Sequence, residues 1–178
     1  MKRVKLSGLL FGLFITSLLA ACGDTSESRN ANSPSVVEAD MLTVYKSPTC
    51  GCCTAWIEHV EAEGFATTAK DVADMSPVKE HYRVADNLRS CHTAVSKQGF
   101  VFEGHIPARF IQQFLAKSPA DAFGLTVPAM PVGSPGMEVD DKFMPYQVLL
   151  MKKDGSVEVF ADVQNQASQY QVYSSQEK

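Results

Sequence analysis

The sequence predicts an α/β domain, a small central mixed sheet flanked by helices. Three observations predict it. Short β-prone runs alternate with helix-patterned segments in the order βαβα, then ββ, α and ββ. Turn signals separate them: Gly64, Ser76-Pro77, Lys97-Gln98-Gly99, Ser118-Pro119 and Lys153-Asp154-Gly155. The composition, 45% hydrophobic and 20% charged, is that of an ordinary globular chain.

The first strand is Leu42 to Lys46, and Ser47-Pro48-Thr49 turns the chain into three cysteines. Thr54 to Glu63 suits a helix with Trp56, Ile57 and Val60 on one face and Gly64 as its stop. Phe65 to Val72 is a second strand. Ser76-Pro77 caps and opens a helix reaching about Asn87. Cys91 to Ser96 and Phe100 to Glu103 form a hairpin around Lys97-Gln98-Gly99. Pro107 opens another helix, in which Phe110, Ile111, Phe114 and Leu115 share a face. A loop dense in Pro, Gly and Met runs from Gly124 to Pro145. Tyr146 to Met151 and Val157 to Ala161 close the domain as a hairpin.

Outside this domain, taken as residues 41–163, the chain reads differently. Lys2, Arg3 and Lys5 precede an apolar run from Leu9 to Ala21, too short to span a bilayer and patterned as a signal peptide, residues 1–21. Leu19-Ala20-Ala21-Cys22 resembles the bacterial lipobox, which makes Cys22 the lipidated residue of an envelope protein facing the periplasm. Residues 22–40 then serve as lipid-bearing cysteine and polar tether, and residues 164–178 as a loose, Gln-rich tail. Removing residues 1–21 moves the formal net charge from −4 to −7. That acidity argues against nucleic acid as a partner.

Four cysteines remain: Cys50, Cys52, Cys53 and Cys91. Three lie within four residues, unlike the spread of a disulfide framework. A strand, a cysteine-bearing turn and then a helix is the layout of thioredoxin-like active sites. There the unpaired N–H groups and positive end of a helix stabilise a thiolate. Cys50 and Cys53 keep the redox spacing, so a thiol–disulfide oxidoreductase is one reading, with Cys50 attacking and Cys53 resolving. The third sulfur, together with Cys91, favours a soft metal centre instead, Cu(I) before zinc. Structural disulfides are a third reading. His92, beside Cys91, and His105, before a helix, are candidate further ligands or supports for them. So are the thioethers of Met130 and Met137, which suit Cu(I) better than zinc. His59 and His81 read as surface groups. Pro128, in Thr126-Val127-Pro128, is a candidate for the cis-proline that thioredoxin-like folds set against the cysteine turn.

Several stretches together carry a more specific likeness. They are Val44-Tyr45-Lys46-Ser47-Pro48-Thr49-Cys50-Gly51-Cys52-Cys53, Ser90-Cys91-His92-Thr93-Ala94 and Glu103-Gly104-His105-Ile106-Pro107-Ala108. Val127-Pro128-Ala129-Met130-Pro131 and Gly133-Ser134-Pro135-Gly136-Met137-Glu138 complete them. The chain resembles the CopG-type family of periplasmic, copper-associated proteins, long described as a domain of unknown function. The resemblance implies a thioredoxin-like fold and a role in copper resistance or homeostasis. It implies copper bound by Cys50, Cys52, Cys53 and Cys91, with a redox step on copper or on partner thiols as a second possibility. Expected partners are copper ions, a copper efflux or oxidase protein of the envelope, and the membrane through the lipid anchor.

Overall fold

The structure, a computed structural model, describes residues 40–170. The expected signal segment, Cys22, residues 23–39 of the expected tether and residues 171–178 lie outside the described residues. Among the described residues there are seven strands and three α-helices, in the order βαβα, ββ, α and βββ. The strands are β1 (Met41–Lys46), β2 (Ala66–Asp71), β3 (Thr93–Ser96), β4 (Val101–Glu103), β5 (Ala122–Thr126), β6 (Tyr146–Lys152) and β7 (Val157–Val163). The helices are α1 (Gly51–Ala62), α2 (Ser76–His81) and α3 (Ala108–Ala116).

All seven strands form one mixed sheet in the order β2-β1-β3-β4-β5-β6-β7. The parallel pairs are β1/β2 and β4/β5. Each is joined through a helix, α1 and α3, as a parallel pair requires. The α/β architecture expected from the sequence is therefore present.

Strand periodicity sorts the two faces. One row of paired residues, Val44, Ala94, Phe102, Leu125 and Leu150, crosses five strands and is apolar throughout. It forms the main core with Trp56, Ile57 and Val60 of α1 and Ile111 and Phe114 of α3. The neighbouring row, Tyr45, Thr93, Glu103, Thr126 and Leu149, faces the other way. There Lys79 of α2 donates to the Glu103 carboxylate at 2.5 Å and to Thr93 Oγ1 at 3.3 Å. Glu103 also accepts from Thr93 Oγ1 and from the Ser90 N–H. Burial pushes its carboxyl pKa up, against the pull of Lys79.

Four expectations change. Helix α1 starts at Gly51, not Thr54, which brings Cys52 and Cys53 into its first turn. Helix α2 ends at His81, well short of Asn87. Arg83 adopts φ 55°, and the N–H groups of Arg83 and Val84 return to the carbonyls of Glu80 and Lys79. That is a Schellman ending built on arginine instead of glycine. Strand β5 occupies ground expected to open the long loop. Its Gly124, a loop signal in sequence, is required because a Cβ there would lie 1.8 Å from the Val101 carbonyl oxygen of β4.

The expected loose tail begins ordered. Gln166–Gln169 form a 3₁₀ turn, and Gln169 is buried. Its amide donates to the Gly133 carbonyl and accepts from the Tyr146 hydroxyl. The Tyr170 hydroxyl donates to Glu138. This turn thus holds the Pro-Gly-Met loop.

Candidate metal centre

Strand β1 delivers the chain to Ser47, whose carbonyl accepts the Cys50 N–H at 3.1 Å and tightens the turn. Cys50 is the N-cap of α1, and its sulfur accepts the Cys53 N–H at 3.3 Å. A sulfur in this place meets an unpaired donor and the positive end of the helix. Cys52 and Cys53 follow in the first turn, Cys52 half-buried and Cys53 fully buried. Cys91 arrives from the other side, just before β3.

The four sulfur atoms all lie within 4.8 Å of one another. Cys50 Sγ is 3.4 Å from Cys52 Sγ, and Cys53 Sγ is 3.6 Å from Cys91 Sγ. Cys50 and Cys53 are joined as a disulfide, and Cys52 and Cys91 are free. The structure therefore holds the cluster in an oxidised form, where the leading sequence reading expected four thiolates. The pairing follows from the helix start, which sets the two Cα atoms 5.3 Å apart, a separation a disulfide spans.

Both candidate histidines reach the cluster. His105 Nδ1 is 2.7 Å from the Pro135 carbonyl, which can only accept, so Nδ1 carries the proton. The lone pair on Nε2 then points at Cys91 Sγ, 2.9 Å away. His92 Nδ1 is 3.4 Å from the same sulfur, and its ring lies 4.3 Å from that of Trp56. His92 Nε2 is buried with no hydrogen-bond partner. Cys91, His92 and His105 form a second group with metal-ligand spacing that shares Cys91 with the first.

Burial dominates the electrostatics. It holds His92 well below the ordinary histidine range, with His105 and Lys79 adding to the effect, and it lowers His105 too. Burial, then the neighbouring Cys52, pushes the Cys91 thiol up to about 12. The site is thus assembled from neutral imidazoles and a protonated Cys91 thiol. It presents soft sulfur with nitrogen at its edge, a donor set for a soft metal ion.

Residues 131–138 cover it. Gly136, at φ +83°, lies so close to α1 that a Cβ would sit 2.6 Å from the Cys52 carbonyl oxygen and 2.8 Å from the Trp56 nitrogen. Met137 follows at once, half-buried, while Met130 is 48% exposed and stands away from the packed core. The Val127–Pro128 bond is trans, as no described peptide is cis. His59, expected on the surface, is half-buried instead. Its Nε2 accepts the Ala108 N–H at 3.0 Å and so caps α3, whose own N-cap Pro107 has no side-chain donor or acceptor. Sequence reasoning missed Gly136, the Pro135 carbonyl and Gln169. The Gly-Ser-Pro-Gly-Met string was the one available signal.

Two solved structures match this arrangement, named "Copper resistance protein copG- Form 2" and "Copper resistance protein copG- Form 1". Both are 43% identical, with TM-scores of 0.67 and 0.66. They cover 71% of this chain and 99% and 98% of their own. The chain belongs to the CopG family. Residues 88–137 also match the family model described as "Protein of unknown function, DUF411". That stretch holds the Cys91-His92 pair, His105 and the covering loop, but not the Cys50–Cys53 turn. No curated protein matches the chain. Among the described residues two groups, sharing Cys91, have the spacing to hold a metal ion: the four cysteines, and Cys91 with His92 and His105.

Proposed function

We propose that this chain binds copper as Cu(I) through Cys50, Cys52, Cys53 and Cys91, in the service of copper resistance or homeostasis. One observation carries the reading: four cysteine sulfurs from two separate segments converge within 4.8 Å. The name of the CopG relatives supports copper as the ion. Thiolate ligands favour Cu(I) over harder cations, and zinc is the second choice. Reduction of Cys50–Cys53 frees all four sulfurs for binding. His92, His105, Met130 and Met137 are further ligands or supports. The amino-terminal pattern supports a lipoprotein held at Cys22 in the bacterial envelope and facing the periplasm. From there it would sequester copper or pass it to an efflux or oxidase partner.

The test is Cu(I) titration of the reduced protein against a coloured Cu(I) chelator. Wild type should withdraw copper from the chelator, and the triple C50S/C52S/C53S variant should not. Unchanged binding by that variant overturns the reading.

The Cys50–Cys53 disulfide favours a second reading, a thiol–disulfide or copper-linked oxidoreductase. Cys50 is the more accessible sulfur and Cys53 the buried one, matching attacking and resolving roles. Cys53→Ser should then trap a partner as a mixed disulfide with Cys50. A pure binder traps none.

A further inference from the structure

The Cys50–Cys53 disulfide has a free thiol against each end. Cys52 Sγ stands 3.4 Å from Cys50 Sγ, and Cys91 Sγ stands 3.6 Å from Cys53 Sγ. Thiol–disulfide exchange needs a thiolate to approach one sulfur while the other leaves. Both ends meet the distance requirement, but the bonds they would form differ.

Attack by Cys52 would close a disulfide on Cys50 across the single residue Gly51, or on its immediate neighbour Cys53. Both are short, constrained loops. Attack by Cys91 on Cys53 closes a bond between segments 38 residues apart whose sulfurs already touch, with no short peptide to distort. The leaving sulfur is then Cys50. It sits at the N-cap of α1, where the Cys53 N–H at 3.3 Å and the helix dipole receive it.

We infer that Cys91 is an internal exchange partner of the disulfide, taking Cys53 and returning Cys50 as a free thiol. The Cys53–Cys91 bond forms and the Cys50–Cys53 bond breaks. The oxidation state of the protein is unchanged. One disulfide is exchanged for another, so the step needs no outside oxidant. As Cys91 attacks, its proton passes to the lone pair of His105 Nε2, 2.9 Å away, and Cys50 takes a proton up as it leaves.

The consequence for metal rests on the copper reading. With Cys50–Cys53 closed, the free sulfurs are Cys52 and Cys91, the latter wedged against two buried histidines. With Cys53–Cys91 closed, they are Cys50 and Cys52, both partly exposed on one turn. Two such thiolates suit a single soft monovalent ion. The oxidised protein thereby keeps an accessible seat for one ion while the rest of the cluster is locked, and the position of the disulfide regulates the site.

The exchange is tested without metal. The metal-free chain is equilibrated in a glutathione redox buffer, quenched with acid, and its free thiols are blocked with N-ethylmaleimide before trypsin digestion. Cleavage at Lys46, Lys70, Arg89 and Lys97 places Cys50, Cys52 and Cys53 in one peptide and Cys91 in another. Mass spectrometry should find the two peptides cross-linked in wild type and in Cys52→Ser. Fragment spectra should place the link on Cys53, with Cys50 and Cys52 carrying N-ethylmaleimide in wild type, and the cross-link should fall to background in Cys91→Ser. An intrapeptide disulfide alone in wild type, or a cross-link whose fragment spectra place it on Cys50 or Cys52, overturns the proposal. Because no copper is present, failure of Cu(I) binding leaves this result standing, and its failure leaves the four-sulfur copper site standing.

Discussion

Gly136→Ala offers a sharp test of how the loop is seated on the cluster. At φ +83° an alanine is strained by about 1–2 kcal/mol. Its Cβ would also overlap two backbone atoms of α1, at 2.6 and 2.8 Å, and backbone cannot rotate away as a side chain can. The loop must lift, a form of overpacking that costs roughly 1–3 kcal/mol. Lifting the loop stretches the adjacent bond between the Pro135 carbonyl and His105 Nδ1, now 2.7 Å, and threatens a buried donor. Together these give a loss of about 3 kcal/mol. With a urea m value of about 2 kcal/mol/M, the unfolding midpoint should fall by about 1.5 M.

The control is the same substitution 85 positions earlier in the same site. Gly51 opens α1, has no positive φ, and nothing lies within 4 Å of where its Cβ would go. Gly51→Ala should be neutral or stabilising by about 0.5 kcal/mol, since alanine restricts the unfolded chain and favours the helix. Urea curves of both variants in the metal-free protein decide the matter. If Gly136→Ala unfolds within about 0.5 kcal/mol of wild type, the loop does not press on α1 as described.

Gln169→Ala removes the buried amide that ties the Gly133 carbonyl to Tyr146. It should cost about 2 kcal/mol and speed amide hydrogen exchange in residues 131–138, and unchanged exchange there would show that the carboxy-terminal turn does not hold the loop. His59 must stay neutral to accept the Ala108 N–H, and burial lowers its pKa against the opposing charges of Glu63 and Glu138, with Tyr170 stacked at its edge. The unfolded chain therefore takes up a proton more readily, so its contribution to stability is present above pH 6.5 and lost as pH falls below it. His59→Gln should flatten that part of the urea-stability profile, and an identical slope refutes the capping role. Lys79→Met leaves Glu103 buried and unpaired and should cost about 3–5 kcal/mol, whereas Lys79→Met with Glu103→Leu should recover most of it. A double variant as unstable as the single one would show that the ion pair matters beyond its charge balance.

How much of this is legible in sequence depends on the range of the forces involved. The strand–cysteine turn–helix unit is local, since period, turn residues and helix signals all lie within residues 42–63, and its sequence pattern matches the structure closely. Cys91 can be assigned to the cluster from sequence only because sulfur is scarce and soft, and its neighbours His92 and His105 follow it there. Gly124 misleads, because the same residue marks a loop and a strand squeezed by its neighbour, and only the Val101 backbone tells the two apart. Gln169 misleads for a related reason. A glutamine in a polar stretch reads as solvent-facing unless Gly133 and Tyr146, far away in sequence, are known to meet it. The α2 ending is hidden because it uses arginine where glycine is the usual signal.

Charge explains why the cluster should load metal in exchange for protons. Four thiolates within 4.8 Å would repel one another strongly, and the surroundings offer little to offset them. The buried ammonium groups are each paired with a carboxylate, Lys46 with Asp71 at 2.8 Å and Lys79 with Glu103 at 2.5 Å. Burial keeps His92 and His105 neutral. The start of α1 supplies the equivalent of about half a charge. A soft cation is therefore what makes the thiolates compatible with their site, and each thiol that binds must release its proton. Cys91, with its pKa pushed up to about 12, remains protonated at neutral pH until metal displaces the proton. Apparent Cu(I) affinity of the reduced protein should accordingly rise with pH from about 6 to about 8, by tenfold per unit for each proton released. Cys91→Ser should make that slope shallower by about one proton. A flat profile in wild type would mean the thiolates stand ready without metal, against the burial of Cys53 and Cys91.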